Sequence, residues 1–191
     1  MSKKMIGTFL VIASLCFANV AENMLISPFG IIVGKQLDPK IKHSKINDSL
    51  FEIIPPQPLD SFTSYFATLN KNKVVTKLIS VTDFYQNDGY CFTSRNKFIE
   101  FEKMLSKKYG EFDQQYDFTR ADSIWDDERY YQMSLLNNER VHATFWKYKG
   151  YNITLEEDAD YSGCYLRLTY EHEILHDQWI DEKEIEETKA L

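Results

Sequence analysis

Glycine and proline are scarce, 7 and 5 of 191 residues. That scarcity excludes a collagen-like repeat and argues against a low-complexity or disordered chain. Basic residues are the minority, 22 Lys and Arg against 29 Asp and Glu, and the resulting charge of −7 makes a nucleic-acid backbone an unsuitable partner. No apolar run reaches the roughly 20 residues that a membrane-spanning helix needs. The P-loop, the GxGxxG fingerprint, the GxSxG elbow and the CxxC pair are all missing. Their absence removes the commonest nucleotide-binding, hydrolase and thiol-redox readings. Cysteine is also rare, three in all.

Aromatic residues are abundant: 13 Phe, 12 Tyr and 3 Trp. The chain is long enough for one domain with its own core and too short for two. Lys3 and Lys4 precede an apolar stretch from Met5 to Ala18, followed by Asn19-Val20-Ala21 and polar Glu22. A basic start, a short apolar stretch and a small-residue exit predict a secretory signal peptide over residues 1–21, cleaved after Ala18 or Ala21. Lipid attachment at Cys16 is disfavoured because the bulky Leu15 sits where a small residue is needed. Removing residues 1–21 takes away Lys3 and Lys4, leaving 170 residues with 20 basic against 29 acidic groups, or −9. The expected location is the periplasm or the exterior, with no membrane span in the mature chain. In such an oxidising compartment the remaining pair, Cys91 and Cys164, is a disulfide candidate.

Periodicity predicts a single α+β domain over residues 22–191. Its parts are an antiparallel β-meander, one main amphipathic helix packed on a face, and a C-terminal helical tail. Phe62–Leu69 and Val74–Asp83 read as a hairpin, and Pro55-Pro56 ends the short strand before it. The helix spans Arg95–Tyr109, with Phe98, Phe101, Leu105 and Tyr109 on one face. Thr93 or Ser94 is the expected cap and Gly110 the stop. Tyr130–Leu136, Arg140–Tyr148, Tyr151–Glu156 and Cys164–Tyr170 read as strands, with Glu157–Gly163 an acidic loop. Leu25–Gly34 reads as a short strand or strand-to-turn segment, and about Glu173–Lys189 as the charged helical tail.

Three patterns have chemical content. His172-Glu173-Ile174-Leu175-His176 matches HExxH, in which two histidines one helical turn apart bind zinc and the glutamate activates a metal-bound water. The strand ending at Tyr170 puts His172 at a helix cap rather than inside a helix. No HxxGxxH continuation follows to supply a third ligand. Asp158, Asp160 and Ser162 with Gly163 begin a calcium loop, D-x-D-x-S-G, but the twelfth position is Thr169 rather than a bidentate glutamate. Asp122, Asp126, Asp127 and Glu128 surround Trp125. Carboxylates beside an aromatic platform serve glycosidases, yet a cluster local in sequence sets no separation across a substrate. The group is read instead as a contact surface for a basic protein. Asn47-Asp48-Ser49 and Asn152-Ile153-Thr154 are glycosylation sequons, relevant only in a eukaryote.

The run from Phe98 to Tyr170, carrying FEKMLSKKYG, RVHATFW, YNITLE and CYLRLTYE, resembles a class of small exported bacterial α+β proteins without assigned activity. The resemblance implies fold and export, and no reaction. Together these features predict an exported, non-enzymatic protein-binding domain without cofactor. Its partner is an envelope protein, basic if acidity steers it, and its most concrete form is an inhibitor or immunity-type protein. The alternative is a zinc-dependent hydrolase using His172, Glu173 and His176.

Overall fold

A computed structural model describes residues 25–85 and 89–189. The predicted signal peptide and Cys16 lie outside the described residues. Eight antiparallel strands form one open sheet: β1 (His43–Lys45), β2 (Leu50–Ile53), β3 (Phe62–Leu69), β4 (Val75–Thr82), β5 (Gln114–Thr119), β6 (Arg140–Tyr148), β7 (Tyr151–Asp160) and β8 (Gly163–His172). Their order is β1-β2-β3-β4-β8-β7-β6-β5, so two four-stranded meanders meet along a β4–β8 seam. Three helices complete the fold: α1 (Phe92–Tyr109), α2 (Tyr131–Leu136) and α3 (Glu173–Lys189). None of the described helices is long and apolar enough to cross a membrane.

The period-2 pattern of the central strands places the core. Along β7, Tyr151, Ile153, Leu155, Glu157 and Ala159 are buried while the residues between them are half-buried. Helix α1 lies on this buried face and inserts Phe98, Phe101, Leu105 and Tyr109 against Phe62, Trp146, Leu166 and Tyr170. It stops as expected at Gly110, whose φ of 97° suits glycine and whose N–H reaches the Ser106 carbonyl. Its start is Phe92, three residues earlier than predicted, with Cys91 at the cap position in the left-handed region. Ser94 is therefore free for another task described below. The segment before β1 turns through a 3₁₀ turn at Pro28–Gly30 rather than forming a strand, burying Ile26, Phe29, Ile31 and Val33 at one end of the core.

Other segments depart from expectation for identifiable reasons. Tyr131–Leu136 is helical, because Tyr131, Ser134 and Leu135 are buried at i, i+3 and i+4. A run this short fits either period. The expected acidic loop is mostly strand: β7 continues to Asp160, and Tyr161-Ser162 alone form the turn. Strand β5 has only Tyr116 and Phe118 as an alternating apolar pair, and as an edge it keeps Gln114 to Phe118 exposed. The hairpin of β3 and β4, the end of β2 before Pro55 and the helical tail match the reading of the sequence.

Candidate binding surface

An open sheet has two edges, and here they differ. Edge β1 is three residues long, preceded by Lys42 and ending in Lys45, a short charged edge of the kind that resists pairing. Edge β5 has six residues, Gln-Gln-Tyr-Asp-Phe-Thr, with neither lysine nor proline, and Gln114 to Phe118 are all exposed. Arg120 N–H donates to the Glu139 carbonyl, continuing the β5–β6 register, whereas Asp113 N–H reaches the Phe145 carbonyl and ends the regular ladder at Gln114. The even-numbered residues therefore bond to β6. Gln115, Asp117 and Thr119 turn their backbone N–H and C=O groups outward.

Side chains stiffen this edge from both faces. On the α1 side, Gln115 donates to Glu102 at 2.6 Å and Asp117 accepts from Arg140 at 2.8 Å. On the other side Tyr116 packs edge-on against Phe145 and Phe118, at centroid distances of 5.8 and 6.2 Å. Tyr116 is 40% and Phe118 49% exposed, so the aromatic faces stay available to a partner. Ile124, just beyond β5, is 78% exposed.

The predicted acidic contact group lies in the loop that follows. Trp125 is half-buried against Tyr130, and its N–H reaches Ser123 Oγ. Three of the carboxylates are neutralised by arginines: Asp122 by Arg120 at 3.5 Å, Asp127 by Arg129 at 2.8 Å, and Glu128 by Arg95 at 2.7 Å and Arg140 at 3.5 Å. Hydrogen bonds from the Arg129 side chain and backbone hold the Asp127 carboxyl down at about 2. The surface at this end of the sheet is thus aromatic and ion-paired more than acidic, with Asp126 exposed in the same loop.

Beneath it lies a polar cluster that the sequence did not disclose. The Glu157 side chain is fully buried and accepts hydrogen bonds from Tyr131 OH at 2.8 Å, from Ser94 Oγ, and from His142 Nδ1 at 2.6 Å. His142 stacks on Phe98 at 3.9 Å, and Arg140 and Arg95 lie over the Tyr131 ring at 4.1 and 4.5 Å. Burial, with the Glu157 charge, raises the Tyr131 pKa and keeps its hydroxyl a donor. Burial opposes the Arg140 charge, but Asp117 and its other neighbours outweigh this and raise its pKa. Alongside, Cys91 and Cys164 form the predicted disulfide, with Cα atoms 5.8 Å apart and both residues wholly buried. Their sulfurs and the Glu157 carboxylate lie within 4.8 Å of one another. The enclosed cluster ties the start of α1 and helix α2 to β6 and β7, directly behind β5. One signal for it existed: a glutamate in the buried phase of β7.

The metal-type patterns do not converge. His172 is the last residue of β8 and stacks edge-on against Tyr151 at 4.9 Å, beside Gly34. His176, in α3, lies 3.4 Å from Glu171 and stacks on Trp179 at 5.2 Å. Since Glu171 and His172 are neighbours in a strand, they face opposite sides of the sheet, and the two imidazoles follow them. Glu173 reaches toward Lys147 at 3.9 Å. Asp158 accepts from Tyr165 OH at 3.0 Å and lies 3.5 Å from Arg167. Burial and the Asp158 charge push that phenol up to about 12. Asp160 accepts from the Ser162 N–H across the two-residue turn, so D-x-D-x-S-G builds a hairpin rather than a loop.

The two histidines make stability depend on pH. Burial lowers the pKa of both below 6.5; at His176, Lys77 adds to this while Glu171 and Asp177 oppose it. The unfolded chain therefore takes up these protons first as pH falls. The stability they contribute is full above about 6.5 and is lost as pH drops through that value toward the folded pKa values. Thermal unfolding midpoints should decline from pH 7 to pH 5, and a His172→Gln/His176→Gln variant should flatten that decline. An unchanged slope would refute the assignment.

No family model, curated protein or solved structure matches this chain.

Proposed function

We propose that this protein is an exported, non-enzymatic binding domain that acts on another macromolecule in the envelope, as an inhibitor or immunity-type protein does. The observation carrying this reading is β5, a six-residue edge strand with outward backbone groups that carries exposed Tyr116 and Phe118 and is followed by exposed Ile124. Extended segments add to such edges, with main-chain hydrogen bonds giving affinity and neighbouring side chains giving selectivity. Trp125 adds an aromatic contact at the rim. The −9 charge of the processed chain favours fast encounter with a basic partner. The Cys91–Cys164 bond and the absence of a membrane-crossing helix among the described residues are compatible with an exported chain.

Site-specific photo-cross-linking in the cells that produce the protein tests this. A cross-linker at Gln115 or Phe118 should give a discrete higher-mass adduct, and one at Ser44 on β1 should not. Equal labelling from both edges, or none from β5 under several growth conditions, would sink the proposal.

A further inference from the structure

We infer that the strand accepted by β5 is β5 of a second copy of this chain, so that two sheets join antiparallel about a two-fold axis through Tyr116. This rests on the strand-accepting role proposed for β5 and names what occupies that edge in the free protein, the occupant that an envelope partner would have to displace. The outward groups of Gln115 and Asp117 set the register. In an antiparallel pair centred on Tyr116, Gln115 of each copy stands opposite Asp117 of the other. These two residues exchange N–H···O bonds through groups that already point outward. Tyr116 then faces Tyr116 of the second copy across a close, non-hydrogen-bonded pair, and Phe118 faces Gln114.

Charge supports the same register. Glu111 and Asp113 precede β5 and Arg120 follows it, so the strand has an acidic end and a basic end. Antiparallel pairing about Tyr116 lays the basic end of each strand beside the acidic end of the other. Like charges would meet instead if the axis passed through Asp117. In the Tyr116 register Asp117 brings no unpaired charge, because Arg140 already holds it. Arg120 meets the exposed Asp122 at 3.5 Å in its own chain, an exposed pair that leaves its guanidinium able to bridge outward. A closed two-fold contact of this kind consumes both free edges and leaves only the short, lysine-bearing β1 edges in solvent.

The test combines association with register. Sedimentation of the purified protein from about 1 to 200 μM should show monomer converting to dimer, and Gln115→Pro, which removes one outward N–H, should raise the dissociation constant at least tenfold. Under mild oxidation Tyr116→Cys should give a covalent dimer, since facing Cα atoms at about 4.5 Å suit a disulfide. Thr119→Cys should not, because the two copies of that position lie roughly 20 Å apart along the paired strands. Circular dichroism confirms that each variant is folded. A monomer at every concentration, or equal cross-linking of the two cysteine variants, overturns the inference. In that event a photo-adduct of different mass at Gln115 leaves the binding role standing with another partner, and the absence of any adduct removes both.

Discussion

Reducing the Cys91–Cys164 bond, or replacing both residues by alanine, is expected to cost about 4 kcal/mol of stability. The bond links positions 73 apart, and closing a loop of that size restricts the unfolded chain by about this amount in the chain-entropy account. For a domain of this length the loss corresponds to a fall of roughly 8–16 °C in melting temperature. Since domains of this kind are stable by about 5–15 kcal/mol, the bond accounts for a large share of the total. It joins the cap of α1 to the first residues of β8, so both ends of the cross-link belong to the core. Both sulfurs are wholly buried. Thiol reagents should therefore leave Cys91 and Cys164 unlabelled in the native protein and label both only after unfolding in reductant. Urea titrations with and without a phosphine reductant measure the stability difference. Equal midpoints would show that the bond does not support the fold.

Glu157→Ala is expected to cost a similar amount, about 3–5 kcal/mol, by a different route. Tyr131, Ser94 and His142 all direct hydrogen bonds at this one carboxylate, and each would be left in a dry site without it. Glu157→Gln keeps the size and one acceptor, and should cost less, about 1–2 kcal/mol. The cluster also predicts coupling. Tyr131→Phe should destabilise the wild-type protein more than it destabilises Glu157→Leu, with an interaction energy on the order of 1–3 kcal/mol. Additive effects would mean that the hydroxyl and the carboxylate act independently, contrary to their 2.8 Å contact.

The two predictions illustrate what was and was not legible in the residues. The disulfide followed from counting cysteines in a chain read as exported. The β3–β4 hairpin followed from two runs rich in β-branched and aromatic residues split by Asn-Lys-Asn-Lys, and the body of α1 from a period of 3.6 ended by glycine. Strand β5 was missed because its alternation is confined to Tyr116 and Phe118 among polar residues; its pairing with β6 sustains it. Tyr131–Leu136 misled because six residues complete neither period. Glu157 was read as part of an acidic loop, since charge in a sequence does not reveal that a tyrosine, a serine and a histidine from three other elements will surround it. The candidate surface was half legible. Trp125 and its acidic neighbours were singled out, whereas the arginines that neutralise them come from α1, β6 and the loop itself. The separation of His172 from His176 depended on the strand-to-helix junction at Glu173, where strand alternation sends adjacent residues to opposite faces.

The seam between β4 and β8 also dictates an order of assembly. Its pairs, from Lys77 with Glu171 to Val81 with Arg167, join residues more than eighty positions apart. Until β8 exists, β4 has no neighbour on that side, and Leu78 and Ser80 have no partner strand to cover them. The first four strands can fold as a local meander, but the sheet closes only when nearly the whole chain is present, and contacts this distant in sequence form slowly. A nascent or unfolded chain would therefore hold an open, strand-ready edge for much of its lifetime. That edge is covered only when the β7–β8 hairpin is in place.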